Sequence, residues 1–287
     1  MRVLVTGATG FIGNYVVETL LQRGFLVIAT SNDIEKAKAF SWYPSVTYIK
    51  FDIKKISDAI NYFEFFQKPD LVIHLAWEGL PNYRNEFHLL ENLPRHILLV
   101  QNFLQNGLQD ITIAGTCFEY GMQQGCLTEE SPSMPDNPYA KAKDELRKKI
   151  QSLQDAYSFS FKWVRLFYMW GNGQNAKSLI AQLEAAIQNG DTSFNMSGGE
   201  QVRDFLPVID VAANIVSVAT QKQLEGIINI CSGQPITVKE FVTNYLKQCN
   251  HQIQLNLGFY PYPDFEPMKF WGSNEKLKKI INNERSS

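Results

Sequence analysis

The chain begins with a pattern that predicts a strand, a glycine turn and a helix. Residues 3–5 are an apolar run of the kind found in a parallel strand that is covered on both faces. Gly7, Gly10 and Gly13 follow at three-residue spacing, and apolar residues then return at helical intervals until Gly24 ends the helix. Such glycines permit a tight turn, a close approach of the backbone to a pyrophosphate and close packing of the helix on its strand.

Three spaced glycines alone also fit an ordinary tight turn, but their context favours phosphate binding. A second apolar strand, residues 25–29, directly follows the helix. The unpaired N–H groups at the start of the first helix would then face the phosphates. The residues predicted to bind a dinucleotide here are Gly7, Thr9, Gly10, Phe11, Ile12 and Gly13.

Bulk properties exclude several classes of protein. With 287 residues, 45% of them apolar, the chain can bury a core as one large domain or two coupled lobes. A net charge of −2 offers no electrostatic basis for binding nucleic acid or an anionic membrane. No apolar run approaches the roughly 20 residues of a membrane helix. The four cysteines form no CxxC pair and no metal-ligand spacing, so we expect reduced thiols, no metal and a cytoplasmic protein without a signal segment.

Strands and helices alternate through the first part of the chain. The further predicted strands cover residues 46–51, 70–76, 111–114 and 161–167. The predicted helices cover residues 33–40, 57–66 (capped by Ser57), 88–106 and 138–156. This alternation predicts an α/β fold with a Rossmann-type, doubly wound parallel sheet.

From Tyr168 onward the alternation is less regular. Helices are predicted at 177–189, from a cap at Asp210 to 220, from a cap at Thr237 to 248 and at 274–280, and a strand is predicted at 226–230. We expect residues 1–167 to form the dinucleotide-binding domain, rejoined by about 204–231. Residues 168–203 and 232–287 are expected to form a smaller C-terminal substrate-binding lobe over the carboxyl ends of the sheet, where open α/β proteins bind ligands.

Tyr139 and Lys143 lie four residues apart near a predicted helix start, and therefore on one helix face. An ammonium beside a phenol stabilises the phenolate and lowers the phenol's pKa toward neutrality. In a chain with 12 tyrosines, about one such spacing arises by chance, so position decides its meaning. Thr116 follows the fifth predicted strand, which brings a hydroxyl, a phenol and an ammonium to the edge where a carbonyl would be reduced.

These motifs, in this order, resemble the extended short-chain dehydrogenase/reductases of the NAD-dependent epimerase/dehydratase group. The segments that carry the resemblance are Thr6–Gly13, Asp52-Ile53, His74-Leu75-Ala76, Asn92, Thr116–Gly121, Tyr139 with Lys143, and Val202–Phe205 with Asp210–Ala212. Several motifs along most of the chain make the resemblance specific for the fold and the superfamily.

The resemblance implies roles for individual residues. Tyr139 would exchange a proton with the substrate oxygen, Thr116 would hydrogen-bond that oxygen, and Lys143 would bind the nicotinamide ribose. Asn92 joins them as a catalytic residue of the family pattern. The cofactor would further contact Asp52, Ile53, Leu75, Ala76 and Trp77.

The resemblance also implies a nucleotide-diphosphate sugar as substrate. Arg203 would pair with its diphosphate, the alternative being a surface pair with Asp204. Trp77, Tyr83 and Tyr168 could shape the sugar or base pocket, or be ordinary core aromatics. A homodimer through helices 88–106 and 139–156 is expected from the family.

The end of the second strand bears on cofactor choice. NAD-binding proteins commonly place a carboxylate there, on the ribose hydroxyls. Here Ser31 holds that place, and Ser31, Asn32 and Lys36 could contact a 2′-phosphate. NADP is therefore the expected cofactor, with NAD possible because no arginine is present and Asp33 could simply cap its helix.

Departures from the family pattern narrow the reaction. Cys117 and Phe118 replace the Asp-Glu pair of the 4,6-dehydratases, and Tyr168 replaces an asparagine of the 4-epimerases. Simple hydride transfer remains, and the favoured hypothesis is reduction of the 4-keto group of a nucleotide-linked 4-keto-6-deoxyhexose by NAD(P)H, as in surface-polysaccharide (O-antigen) sugar biosynthesis. One alternative is a nucleotide-sugar 4-epimerase with tightly bound NAD, and another is a non-catalytic module that senses a dinucleotide.

Overall fold

A computed structural model describes residues 1–264 and 266–285, and within these ranges seven parallel strands form one central sheet. In chain order the strands are β1 (Arg2–Thr6), β2 (Leu26–Ser31), β3 (Thr47–Lys50), β4 (Leu71–His74), β5 (Asp110–Thr116), β6 (Ser160–Leu166) and β7 (Gly226–Ile230). Their order across the sheet is β7-β6-β5-β4-β1-β2-β3, and every neighbouring pair is parallel. The chain reverses its direction of progress between β1 and β4, which is where sheets of this kind form a ligand crevice.

Helices connect the strands and then build the second half of the chain. They are α1 (Phe11–Gln22), α2 (Ile34–Lys38), α3 (Tyr62–Phe65), α4 (Leu93–Gln105), α5 (Pro138–Ser152), α6 (Leu179–Gln188), α7 (Val208–Thr220), α8 (Val238–Gln248) and α9 (Glu275–Arg285). A π-helical turn, His88–Asn92, leads directly into α4.

Each face of the sheet carries its own apolar cluster. Val3 and Val5 of β1 pack into the cluster that includes α1, α7 and α9, whereas Leu4 packs into the cluster that includes α3, α4 and α5. Successive side chains of a strand point to opposite faces, so a strand covered on both sides must be apolar at every position. The unbroken apolar run of β1 therefore follows from the doubly wound arrangement, which confirms the predicted fold class.

The predicted elements agree with the structure to within a few residues, apart from the end of α9, which runs to 285 and not 280, and the regions near two predicted caps. Residues 57–61 are not helical, because the Ser57 hydroxyl accepts from the backbone of Ala59 and Asn61 caps the short α3 instead. Asp210 lies in the first turn of α7, which begins at Val208. Thr237 caps α8 as predicted, accepting from the Glu240 backbone at 3.1 Å.

Short strand pairs, formed mostly by the second half of the described chain, lie outside the central sheet. They are Tyr168–Trp170 with Phe205–Pro207, Ser193–Asn195 with Gln254–Asn256, Val202–Arg203 with Ile236–Thr237, and Gly125–Leu127 with Phe270–Gly272. A separate small core joins α6 and α8 around Leu183 and Val242. β7 returns to the central sheet beside β6, while the division of the chain into two lobes stays a prediction.

None of the helices in the described part of the chain is long and apolar enough to cross a membrane.

Candidate active site

The glycine turn between β1 and α1 leaves no room for side chains. Gly7 has a φ of +70°, and a Cβ there would lie 2.9 Å from the backbone of Ala76. A Cβ on Gly13 would lie 2.1 Å from the Gly7 carbonyl oxygen. Gly10 occupies the N-cap of α1 and has no side chain to bond the first N–H groups of the helix. The turn therefore fits a pyrophosphate, which these N–H groups can bind.

The other residues predicted to contact the cofactor lie at the carboxyl ends of the strands flanking this turn. The Ser31 hydroxyl, at the end of β2, lies 2.8 Å from the Tyr48 hydroxyl. Asp52, after β3, caps the turn that begins at Ile53. Leu75 and Ala76 follow β4, next to the glycine turn. Asn32, a further predicted contact, is exposed beyond β2.

Thr116, Tyr139 and Lys143 meet at the end of β5. Thr116 is the last residue of β5, and Tyr139 lies in the first turn of α5, which Asn137 caps through the Ala140 backbone at 2.9 Å. Lys143 lies one turn further along, and its Nζ donates to the Ala114 carbonyl at 2.9 Å. The structure thus brings the predicted hydroxyl, phenol and ammonium together, while their catalytic roles stay predictions.

Burial governs the electrostatics of the pair. Burial raises the pKa of the Tyr139 phenol, with Tyr83 and Glu119 adding to the rise, although a hydrogen bond with Thr116 opposes it. Burial also lowers the pKa of Lys143 to about 7, against a smaller opposing effect of Glu119. The expectation that the ammonium lowers the phenol's pKa toward neutrality is wrong, because burial is the largest influence on the phenol and it raises that pKa.

Aromatic rings surround the Tyr139 ring. The ring centroids of Trp77, Tyr83 and His88 lie 6.1, 5.5 and 5.3 Å from it. The Tyr83 carbonyl accepts from the Tyr139 backbone at 3.1 Å, which ties the loop after β4 to α5. Phe118 packs edge-on against Tyr83 at 5.1 Å. Trp77 and Tyr83 therefore lie beside the predicted proton donor.

The buried carboxylate of Glu119 supports Thr116 and is not among the site residues predicted from the sequence. Glu119 is fully buried and accepts from the Thr116 backbone at 2.8 Å, the Arg165 Nε at 2.8 Å and the Trp163 Nε1 at 3.0 Å. Thr116 and Glu119 form a capping box, and their spacing, Thr-x-x-Glu, is a signal that could have revealed this support. The ion pair between Glu119 and Arg165 joins residues 46 positions apart, so no local sequence pattern indicates it.

Asn92 ends the π-helical turn before α4. Its amide donates to the Glu78 carbonyl at 3.1 Å and lies 3.4 Å from the Nδ1 of His88. Asn92 therefore joins the loop after β4 to the start of α4. Asn92 thus lies next to His88, one of the rings around Tyr139. Its catalytic role stays a prediction.

Arg203 is buried and already paired. Its Nη2 lies 2.9 Å from a carboxylate oxygen of Glu266, and its guanidinium lies 5.5 Å from the Tyr168 ring centroid. The alternative pairing with Asp204 is wrong, because Asp204 instead accepts from the hydroxyl and backbone of Ser232. No motif in the sequence indicates Glu266, yet its carboxylate pairs with the guanidinium that the sequence predicts to bind a diphosphate.

In the described part of the chain the cysteines are unpaired, and burial disfavours the thiolate form of Cys117. Cys117 is buried beside Thr116, and burial raises the pKa of its thiol. The cysteines of the described chain are free thiols. Among the described residues, no group of three or more His, Cys, Asp and Glu side chains could hold a metal ion.

Comparison with known proteins gives matches along the whole chain. The family model described as "NAD dependent epimerase/dehydratase family" matches residues 3–231. A dTDP-6-deoxy-L-talose 4-dehydrogenase (NAD(+)) of Aggregatibacter actinomycetemcomitans is 30% identical over 95% of this chain and 100% of the relative. A UDP-glucose 4-epimerase of Halalkalibacterium halodurans is 26% identical over 98% of this chain and 90% of the relative.

Among solved structures, MoeE5 in complex with UDP-glucuronic acid and NAD superimposes with a TM-score of 0.81. It is 23% identical, and the match covers 98% of this chain and 93% of that one. At this identity the likeness establishes the Rossmann-type fold.

Proposed function

This chain belongs to the NAD-dependent epimerase/dehydratase family, and we propose that it interconverts the 4-keto and 4-hydroxy forms of a nucleotide-linked 6-deoxyhexose. The observation that carries this proposal is the meeting of Thr116, Tyr139 and Lys143 at the carboxyl end of β5, beside the glycine turn. The relative named as a 6-deoxy-L-talose 4-dehydrogenase, whose full length the match covers, supports the same chemistry.

In the direction of reduction, Tyr139 supplies the proton. Burial raises the pKa of its phenol, so the side chain keeps its proton until an alkoxide forms at the sugar's C4. Thr116 bonds the same oxygen and orients it. A nicotinamide cofactor, when bound, supplies the hydride. Lys143 would contact the ribose of that cofactor, and its ammonium form would stabilise the phenolate as Tyr139 loses its proton.

The neighbours of Thr116 argue for simple hydride transfer. Cys117 and Phe118 offer no carboxylate to remove a proton from C5 or to protonate a leaving hydroxyl, which dehydration requires. The raised pKa of the buried Cys117 thiol also disfavours a thiolate base. Reduction needs neither group.

NAD is the cofactor proposed for this reaction. The 6-deoxy-L-talose relative has NAD(+) in its name, and MoeE5 holds NAD. In this chain the Asp33 carboxylate lies two residues beyond the end of β2, and a negative charge there disfavours a 2′-phosphate. The NADP preference that Ser31 and Asn32 predict is the alternative.

A nucleotide-sugar 4-epimerase is the second candidate, favoured by the match to a UDP-glucose 4-epimerase over almost the whole chain. Tyr139 would then first accept the proton of the 4-hydroxyl and later return it on the other face of the sugar. An epimerase must retain its cofactor between these two steps, so tightly held NAD that survives purification would distinguish it. The substrate would be a nucleotide-diphosphate sugar in both cases, and a homodimer remains the family expectation.

The test is nicotinamide absorbance with a dTDP-4-keto-6-deoxyhexose, in parallel runs with NADH and NADPH. Consumption of one NADH for each sugar reduced, faster than with NADPH, is the expected result. Consumption of NADPH alone would restore the cofactor expected from β2. If several 4-keto nucleotide sugars cause no consumption and the protein carries bound NAD, the 4-epimerase is the better description. A protein that binds dinucleotide but transforms neither class would be a sensing module.

A further inference from the structure

The Lys143 ammonium rests on the face of an aromatic ring. Its Nζ lies 3.9 Å from the centroid of the Trp77 ring and donates one hydrogen bond to the Ala114 carbonyl. The residue is 2% exposed, so the ammonium has lost most of its contact with water. A desolvated cation over an indole is the strongest form of cation–π attraction in proteins.

The charged and titratable groups around Lys143 do little to replace the lost water. His74 on β4, His88 in the π-helical turn and His96 on α4 all face the ammonium, and burial lowers the pKa of each. These imidazoles are therefore neutral at physiological pH. The remaining titratable neighbours are the Tyr139 phenol, which is protonated, and Glu119, which Arg165 already engages.

Trp77 is itself held in place on both sides. Its ring stacks on His96, with 4.6 Å between centroids and 22° between the planes. Its Nε1 donates to the Nδ1 of His88 at 3.1 Å, and the Nε2 of His88 lies 3.1 Å from the Asn82 carbonyl. These contacts fix the orientation of the indole, which has one face toward the ammonium and makes a T-shaped contact with the Tyr139 ring.

We propose that Trp77 is a positioning residue whose indole face favours the charged form of Lys143 and fixes its ammonium over a ring that also packs against Tyr139. This inference rests on the proposed function for its catalytic consequence, but the contact itself precedes any ligand. It assigns to Trp77 a role other than the cofactor and sugar contacts that the sequence predicted. The indole takes the place that a buried carboxylate would otherwise have to fill, and it does so without neutralising the charge.

The first experiment follows the Lys143 titration itself, without cofactor or substrate. The ¹³Cε resonance of Lys143, assigned by its loss in Lys143→Arg, is recorded against pH in the wild-type protein, Trp77→Phe and Trp77→Leu. Trp77→Leu removes the ring face and should lower the titration midpoint by about one pH unit, because the charged form loses its cation–π attraction. Trp77→Phe retains a ring face and should shift the midpoint less.

Fluorinated tryptophan provides a test that does not depend on folding of the leucine variant. Fluorine withdraws electron density from the ring face with little change of shape, so labelling should lower the midpoint stepwise with the number of fluorine atoms. The chain has five tryptophans, and Trp77→Phe is the matched control, in which the same labelling should leave Lys143 unaffected. An unchanged midpoint in labelled wild-type protein, or an equal shift in labelled Trp77→Phe, would overturn the proposal.

Turnover separates this inference from the proposed function. With both correct, kcat in Trp77→Leu falls about tenfold and the pH profile of kcat/KM moves with the Lys143 midpoint, while Trp77→Phe stays closer to wild type. If the midpoint shifts as expected but Lys143→Met keeps full turnover, the positioning contact stands and the proposed catalytic pair fails. If the Lys143 midpoint is the same in Trp77→Leu and wild type, the positioning role is wrong whatever the turnover.

Discussion

Two sides of the site differ in how their polar groups are bonded. On the glycine-turn side, polar groups hydrogen-bond to the ends of the sheet strands. On the other side, here called the arginine side, two guanidinium groups pair with carboxylates near the end of the chain. Lys143 donates to the backbone of β5, which is part of the same sheet edge. Arg203 and Arg84 instead pair with Glu266 and Asp264. A ligand can bind on the glycine-turn side without displacing a side chain, whereas an anion that binds Arg203 must displace the Glu266 carboxylate.

This difference follows from how each side is built. The glycine-turn side uses residues that immediately follow parallel strands, and the carboxyl ends of such strands meet at one edge. The arginine side joins residues that lie 63 positions apart, from Arg203 to Glu266. We therefore expect substitutions on the first side to act on cofactor binding and chemistry, and those on the second side to act on binding of the nucleotide sugar.

The largest expected effect is that of Tyr139→Phe. Removing the hydroxyl should lower kcat about 10³-fold, because proton transfer loses its donor, while the Kd for NAD changes little. Turnover is measured by nicotinamide absorbance and Kd by titration of protein fluorescence. Tyr157→Phe, at a partly buried tyrosine packed against the α3–α5 cluster, is the control. Equal losses of turnover and cofactor binding would show that Tyr139 maintains the structure of the site and is not the proton donor.

Gly13→Ala tests whether the glycine turn is as crowded as its contacts indicate. The added Cβ would lie 2.1 Å from the Gly7 carbonyl oxygen, so the helix must move away from its strand. We expect a loss of ~1–3 kcal/mol in the free energy of unfolding and a weaker affinity for NAD. Urea unfolding and cofactor titration measure the two effects.

Gly24→Ala, just beyond the other end of α1, is the matched control. Apart from the glycine itself and its two chain neighbours, no described residue places an atom within 4 Å of a Cβ built there, so only the φ of +77° opposes the substitution. Its cost should be about 1 kcal/mol with no change in NAD affinity. If both variants lose NAD equally, crowding at the turn is not what matters for binding.

Lys143→Met tests the cost of burying the ammonium. Because burial lowers the pKa of Lys143 to about 7, the unfolded chain binds one proton more than the folded chain between about pH 7 and pH 10.5. The destabilising cost of Lys143 is thus full below pH 7 and falls as pH rises, by up to ~1.4 kcal/mol per unit. The stability of Lys143→Met relative to wild type should therefore decline between pH 7 and pH 9.5.

Urea unfolding at several pH values measures this change, with Lys141→Met on the exposed side of α5 as the control. A stability difference that stays constant from pH 7 to pH 9.5 would mean that Lys143 is not a buried, titrating cation.

The smallest expected effect, on the arginine side, is that of Glu266→Gln. The diphosphate of a ligand no longer has to displace a carboxylate from Arg203, so the Kd for dTDP or UDP should tighten by roughly threefold to tenfold. Calorimetric titration measures it. Asp264→Asn, which removes the exposed partner of Arg84, should change affinity little. Weaker binding in Glu266→Gln would assign the carboxylate to ligand binding and not to competition.

Local sequence patterns predict where the residues of the candidate site lie, but not which of them are buried, charged or paired. The ends of β1 to β5 and the start of α5 were predicted within a few residues, and Thr116, Tyr139 and Lys143 meet because strand ends do. The rise in the pKa of Tyr139 could not be predicted from the sequence, since desolvation depends on which loops cover the phenol. Here Tyr83, far from Tyr139 in sequence, supplies part of that cover.

The sequence by itself determined the doubly wound sheet, the glycine turn and the family, because each rests on local patterns and on the order in which they follow one another along the chain. Only the tertiary structure decided which charges are paired and which are buried alone. Glu266 on Arg203 and Trp77 beneath Lys143 are examples, since each contact joins segments that meet only after folding. Burial and pairing are properties of packed neighbours, and the energy of a charged group depends on them more than on its place in the sequence.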